Sequence, residues 1–478
     1  MSEWRNEGKM TSPTAYVRYT DRHDPDPCTP DETLLMKTRL PAFVYILLLL
    51  LGLSLACQTT SLGGSQAVAA GQNSARAALA GATPAGQLAI IGTDHNIYLM
   101  NPDGSGRTEL TTDAGGDSQR SYHYITWAPD SRGLAFVQND VVAGPGRGHI
   151  EASLWLADTA SGRRTELFQS TDIIPFYLHF APDSQTLAFL GQGSPPEPLG
   201  LYLISTVPGE PRVLENGQPF YWDWAPDSAS LFVHTGGRRA GRLAFLDPAG
   251  SDSTALALQP TSFQAPAFLQ NGQQLVVAIE QEGTDSLVLI DRDGAIVEEL
   301  ATLEATAAFV PAPTGQHIAY ITSDLQLGAG AIGELALVEI GAGTDPRQIA
   351  AGPVVACFWS PDGQKLAYIT LDPDGRQQTK LAQQGNSEIA FDLYVYELDS
   401  GRSRYLHSFA PTGEFLNVIP YFDQYHRSAT IWSPDSRYLA ISAQSLNIAG
   451  GEILLLDTDS EGLPQQLGDG LLAFWSWE

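Results

Sequence analysis

Two aspartates carry the sharpest chemical possibility in this chain. Asp223 lies in Phe220-Tyr221-Trp222-Asp223-Trp224, and Asp423 in Tyr421-Phe422-Asp423-Gln424-Tyr425-His426-Arg427. Paired carboxylates across a cleft perform glycoside hydrolysis, provided their separation suits it. With His179 they make up a hydrolase or lyase reading. Other chemistry is poorly served. The nine histidines are scattered, with no His-x-x-x-His and no Cys–His cluster, which argues against a zinc site. Asp291-Arg292-Asp293-Gly294 and Asp372-Pro373-Asp374-Gly375 resemble calcium loops but lack the remaining oxygen ligands, and they read as turns. No Gly-x-Ser-x-Gly elbow occurs. The residue pattern therefore predicts no cofactor, no metal and no catalysis, with the carboxylate pair as the rival reading.

Aromatic residues suggest binding instead. Tyr124, Tyr177 and Tyr221 each precede a repeated aromatic by three residues, with His179 and Asp223 beside them. Tyr421, Asp423, Tyr425 and His426 form a second group. Tyrosine offers flat apolar area with a polar tip, suited to protein or glycan contacts. The alternative is that these rings pack between structural units.

The elements that must position them are set by one phrase. Trp127-Ala128-Pro129-Asp130-Ser131 returns as Phe180 to Ser184, Trp224 to Ser228, Trp359 to Gly363 and Trp432 to Ser436. Decayed copies begin at Phe268 and Pro311, and Trp475-Ser476-Trp477-Glu478 opens one more. A spacing near 44 residues recurs among them, a period typical of propellers. Each phrase is a strand running into a Pro-Asp-Ser turn, where proline presets φ and the polar side chains bond the backbone. In the unit at Trp224, strands over 220–224, 231–234, 242–246 and 255–258 make one four-stranded blade. Strands over 88–91, 97–100 and 108–110 lack a first strand, and 471–475 is a first strand lacking partners. The two ends complete one blade and close the ring. The predicted fold is all-β: an eight-bladed β-propeller of four-stranded antiparallel blades over 86–478, or seven blades if a decayed copy is not one. Insertions at 139–152, 191–199, 323–333, 372–390 and 417–428 all leave on one rim, which marks it as the binding face.

The Trp-Ser-Pro-Asp-Gly phrase, with its aliphatic strand, an Ile-Tyr-Leu strand and the Asn101-Pro102-Asp103-Gly104 turn, resembles the WD40-like (PD40) repeats of TolB. The resemblance spans the whole repeat region and implies a protein-interaction scaffold in a cell envelope. TolB's separate α/β domain has no counterpart, and neither has the hydrolase domain of the related prolyl oligopeptidases.

The N-terminal part fits export. Pro41 to Ala56 is uncharged and includes six consecutive aliphatic residues from Ile46, preceded by Lys37 and Arg39. That is short for a membrane span but right for a signal h-region. Leu53-Ser54-Leu55-Ala56-Cys57 resembles a lipoprotein lipobox, which implies lipidation at Cys57. The expected organisation is an over-extended segment 1–35, a signal peptide 36–57, a flexible tether 58–85 and the propeller. A cytoplasmic tail with a signal anchor is the alternative; both place the propeller outside the cytoplasm. Three distant cysteines argue against a disulfide framework, and Cys357 reads as a small buried hydrophobe. The formal charge of −28 argues against nucleic acid. Expected partners are envelope proteins, or else a glycan or peptide at the channel mouth, with the chain itself a monomer.

Overall fold

The structure is a computed structural model that describes residues 84–116, 118–144, 148–193, 199–236, 241–250, 252–261, 264–323, 326–327, 330–371, 390–445 and 450–478. The expected signal peptide, Cys57 and nearly all of the tether lie outside the described residues, as do most of 372–390 and the centres of three other insertions. Among the described residues no helix is long and apolar enough to cross a membrane.

The chain is an all-β propeller built from successive antiparallel sheets. Arg120–Trp127, Gly133–Val142, His149–Asp158 and Arg164–Ser170 form one sheet in chain order, and Ile174–Phe180 to Arg212–Asn216 repeat it. Phe220–Trp224 opens the next sheet, which ends at Ser253–Ala255 rather than 255–258. Both decayed phrases also open four-stranded arrangements, from Ala267–Phe268 and from Thr306–Pro311. One long strand, Arg347–Trp359, joins two of them. It pairs with Gly333–Glu339 up to Val354 and with Lys365–Leu371 from Val354 onward. The unit at Trp432 has three strands plus a single Trp432–Leu439 bridge. Finally Leu472–Trp475 pairs antiparallel with Leu88–Ile91, with Leu88 opposite Trp475. The two ends therefore share one sheet, as their incomplete strand sets predict.

Inner strands read as continuous apolar runs because both faces are covered by neighbouring sheets. Leu88–Ile91, Phe220–Trp224 and Leu231–Thr235 are buried at every position. The repeated phrase explains how one sheet is held to the next. Trp127 Nε1 donates to the Phe474 carbonyl at 3.2 Å, Trp224 to His179 at 3.4 Å, Trp359 to Val310 at 3.0 Å and Trp432 to Phe358 at 2.9 Å. Each acceptor lies one residue before the phrase of the preceding unit. In the turn, the aspartate bonds the backbone two residues on, as from Arg132 N at 3.0 Å to Asp130 Oδ1. The serine does something else. Ser131, Ser184, Ser228 and Ser436 adopt φ near +60°, where three other copies carry glycine (Gly272, Gly315, Gly363). Their hydroxyls reach across: Ser184 accepts from Asp130 N at 3.2 Å, Ser228 from Asp183 N at 3.0 Å and Ser436 from Asp362 N at 3.0 Å.

The serine thus accepts a left-handed backbone in exchange for an inter-unit bond. Ser184→Ala keeps the unfavourable φ and loses the bond, a cost of about 1–2 kcal/mol. Ser184→Gly loses the bond but relieves the backbone, and is expected to lie within about 1 kcal/mol of the parent. Urea midpoints of the two variants measure the difference; equal losses would mean that the left-handed backbone at this position costs nothing.

Candidate functional site

The link after Phe409 is helical and packs against strands of several units. Helix α1 covers Gly413–Val418, a 3-10 turn Ile419–Tyr421 follows, and helix α2 covers Phe422–Ser428. Thr412 caps α1: its hydroxyl accepts from Phe415 N at 3.2 Å and donates to the Leu471 carbonyl. Phe415, Val418, Ile419 and Phe422 are all buried, and each contributes roughly 2 kcal/mol of gross burial. Helix α2 packs on Ile174–Phe180, Phe220–Trp224, Thr306–Pro311 and Arg347–Trp359, from four different units. This segment is a plug anchored by apolar contacts, where the sequence suggested a long loop.

The predicted site residues divide into two layers around it. Tyr177, His179, Tyr221, Asp223 and Asp423 are buried beneath or within the plug rather than lining an open mouth. Gln424, which the sequence did not single out, ties the layer together. Its Nε2 donates to the Tyr177 hydroxyl and to the Trp222 carbonyl at 2.8 Å each, and its Oε1 accepts from Trp222 N at 3.2 Å. The Tyr177 hydroxyl in turn donates to the Gln424 carbonyl at 2.8 Å. Tyr177 meets both Trp222 and Tyr425 edge-on at 5.0 Å.

The two aspartates serve as backbone acceptors. Asp223 accepts from Phe268 N at 2.8 Å, and Asp423 from Ala265 N at 3.2 Å. They are 4% and 2% exposed, so solvent and substrate do not reach them. Burial raises both carboxyl pKa values, that of Asp423 to about 7, with backbone hydrogen bonds and then Arg427 opposing the shift at Asp423. Arg427 Nη1 lies 3.7 Å from Asp223. Burial, and secondarily Arg427, depresses His179 and His426 to about 3, so both are neutral donors or acceptors near neutral pH. Cys357 is buried, and burial raises its thiol well above the usual range.

The outer layer holds Tyr124 and Tyr421, 36% and 42% exposed, with Tyr425 and His426 half-buried. Beside Tyr124 stand His123, whose Nδ1 lies 3.5 Å from Glu414 Oε1, and His95, whose ring is 6.0 Å from that of His123. Glu414 and His95 also escaped sequence reading, because each is a single polar residue in a loop or helix end without periodicity. No group of three candidate ligands is placed to hold a metal among the described residues. Asp291 Oδ1 accepts from Asp293 N at 3.0 Å and Ala295 N at 2.8 Å, so the calcium-like motif there is a self-bonded turn.

No protein-family model and no curated protein matches this chain. Solved structures resemble it at the level of fold. It is similar to the dihydro-heme d1 dehydrogenase NirN in complex with DHE, with TM-score 0.52 and 12% identity over 83% of this chain and 76% of that one. It is also similar to TolB from Acinetobacter baumannii, with TM-score 0.36 and 14% identity over 71% and 82% of the two chains. A prolyl endopeptidase aligns with TM-score 0.44 and 14% identity over 75% of this chain and 50% of its own. At such identities the likeness is one of fold alone.

Proposed function

We propose that this chain is a non-catalytic, eight-bladed propeller that acts outside the cytoplasm as a protein-interaction scaffold, held to a membrane through lipidated Cys57. The observation that carries this reading is the plug. The chain's own helix at 422–428 packs across strands of four units, while Tyr124 and Tyr421 stay exposed. A broad capped rim with exposed aromatics suits a protein surface better than a deep pocket does. The TolB-like phrases and the lipobox support an envelope setting. The rival hydrolase or lyase needs Asp223, Asp423 and His179 open to substrate, and they instead bond backbone groups or pack in the interior.

The test is affinity capture from native envelope extract, using the full chain in detergent beside a folded Tyr124→Ala/Tyr421→Ala variant. A specific protein retained by the parent and lost, or at least about tenfold depleted, with the variant is the expected result. Equal capture by both moves the interaction off this rim, and capture of nothing specific ends the scaffold reading.

A further inference from the structure

Tyr124 and Tyr177 occupy matching places in consecutive units, yet only Tyr177 is buried. Each lies at a register shift in a first strand, between His123 and Thr126 or between Phe176 and Leu178. Each has a left-handed backbone, with φ of +54° and +46°. Bulky residues rarely adopt this region, and a bulge that imposes it re-aims the side chain. Tyr177 offsets the strain by burial and by its bonds to Gln424. Tyr124 has the same strain while remaining 36% exposed; its ring lies 6.1 Å from that of His123 and 6.4 Å from that of Phe176, and no hydrogen bond to its hydroxyl occurs among the described residues. A strained, partly exposed residue that no hydrogen bond holds in place points to a role in contact.

The surroundings give that contact a sign. Burial, then the charge of Glu414, raises the Tyr124 hydroxyl pKa to about 12. On the plug, Tyr425 lies within electrostatic reach of Tyr124, Glu414 and Tyr421. Burial would raise the Glu414 carboxyl, but the hydrogen bond and charge of His123, then the charge of His95, hold it below its ordinary range. Arg120, four residues before Tyr124, is taken up by Asp113 and by Asp140 at 2.8 Å. Over the whole chain 54 acidic residues face 26 basic ones. A tyrosine face beside a carboxylate attracts a cation through the ring quadrupole and the charge together. We propose that Tyr124, Tyr421, Tyr425 and Glu414 form a receptor for a lysine or arginine side chain projecting from the partner protein, the cation resting on the Tyr124 ring against Glu414. This proposal rests on the scaffold reading and names the chemistry of its partner.

Fluorescence anisotropy with labelled oligoarginine and oligolysine tests it, with oligoglutamate as the blank and physiological ionic strength to suppress diffuse attraction. Tyr124→Ala and Glu414→Gln are each expected to raise Kd about tenfold. Tyr124→Phe keeps the ring and stays within about twofold of the parent. Asp293→Asn, which removes one charge from the exposed Asp291–Gly294 turn, also stays within about twofold. Equal weakening by all four variants would reduce the effect to bulk surface charge and overturn the proposal. Peptides that bind no better than oligoglutamate would overturn it as well. If envelope capture through Tyr124 and Tyr421 still holds in that case, the scaffold stands and only the cationic chemistry falls. Circular dichroism on each variant confirms that the comparison is between folded proteins.

Discussion

Deleting Trp475–Glu478 is expected to remove at least about 5 kcal/mol of stability, a large part of what a domain of this kind possesses. The segment is four residues long, but it completes the ring at several independent points. Trp475 is fully buried, and its removal alone costs about 3–5 kcal/mol in lost packing. Its amide donates to the Thr430 carbonyl at 3.0 Å. Ser476 and Gln87 exchange bonds, Ser476 N to the Gln87 carbonyl at 2.8 Å and Gln87 N to Ser476 Oγ at 2.9 Å. Ser131 Oγ accepts from both Trp477 N and Glu478 N at 3.0 Å. Each such bond adds roughly 1 kcal/mol. Urea denaturation of the truncated chain should show a markedly lower midpoint, with the paired strand Leu88–Ile91 losing hydrogen-exchange protection first. An unchanged midpoint would mean that the ring does not depend on its shared sheet.

Asp423→Asn is expected to stabilise the protein at alkaline pH and to do little under acid conditions. Burial lifts this carboxyl from 3.8 to about 7 in the folded state. Between those values the folded protein binds a proton that the unfolded chain has released. Stability from this group is therefore greatest below about pH 4 and declines as pH rises through 7, by about 4 kcal/mol in all. Asp223 shifts in the same direction, also through burial. Asparagine keeps an oxygen for Ala265 N and has no charge to desolvate, so the gain near pH 8 should be about 3 kcal/mol, and near pH 5 about 1 kcal/mol or less. Urea titrations across that range measure it. A gain that is the same at both ends would show that the carboxyl does not take up its proton on folding.

These two expectations draw on different parts of the sequence, and the difference shows what was legible. Turn chemistry is local, so Trp-Ala-Pro-Asp-Ser announces its strand and turn wherever it stands, and even the decayed copies at Phe268 and Pro311 opened sheets. Incomplete strand sets at the two ends likewise predicted their pairing. The fourth strand after Pro248 was misplaced to 255–258 because outer strands face solvent and carry little alternation. The plug was invisible for a related reason: two helices of six and seven residues are too short for a periodic signal. For Tyr177 and Tyr221 the sequence left both ligand contact and packing open; in the structure they and Asp223 are buried against Gln424 and its helix or the adjoining wall. At Tyr124 and Tyr177 the bulge breaks the two-residue period, so alternation could not tell which ring points out.

The inter-unit bonds also have a direction along the chain. Trp224, Trp359 and Trp432 all donate to carbonyls earlier in sequence, and Ser184, Ser228 and Ser436 all accept from amides earlier in sequence. A polypeptide made from its N-terminus therefore presents each new tryptophan and serine to a partner that already exists. Trp127 and Ser131 are the exceptions. Their partners, Phe474, Trp477 and Glu478, follow them by 346 or 347 residues. While these residues are being made the growing arc keeps one waiting edge, at Trp127 and Ser131, until residues 474–478 arrive to fill it.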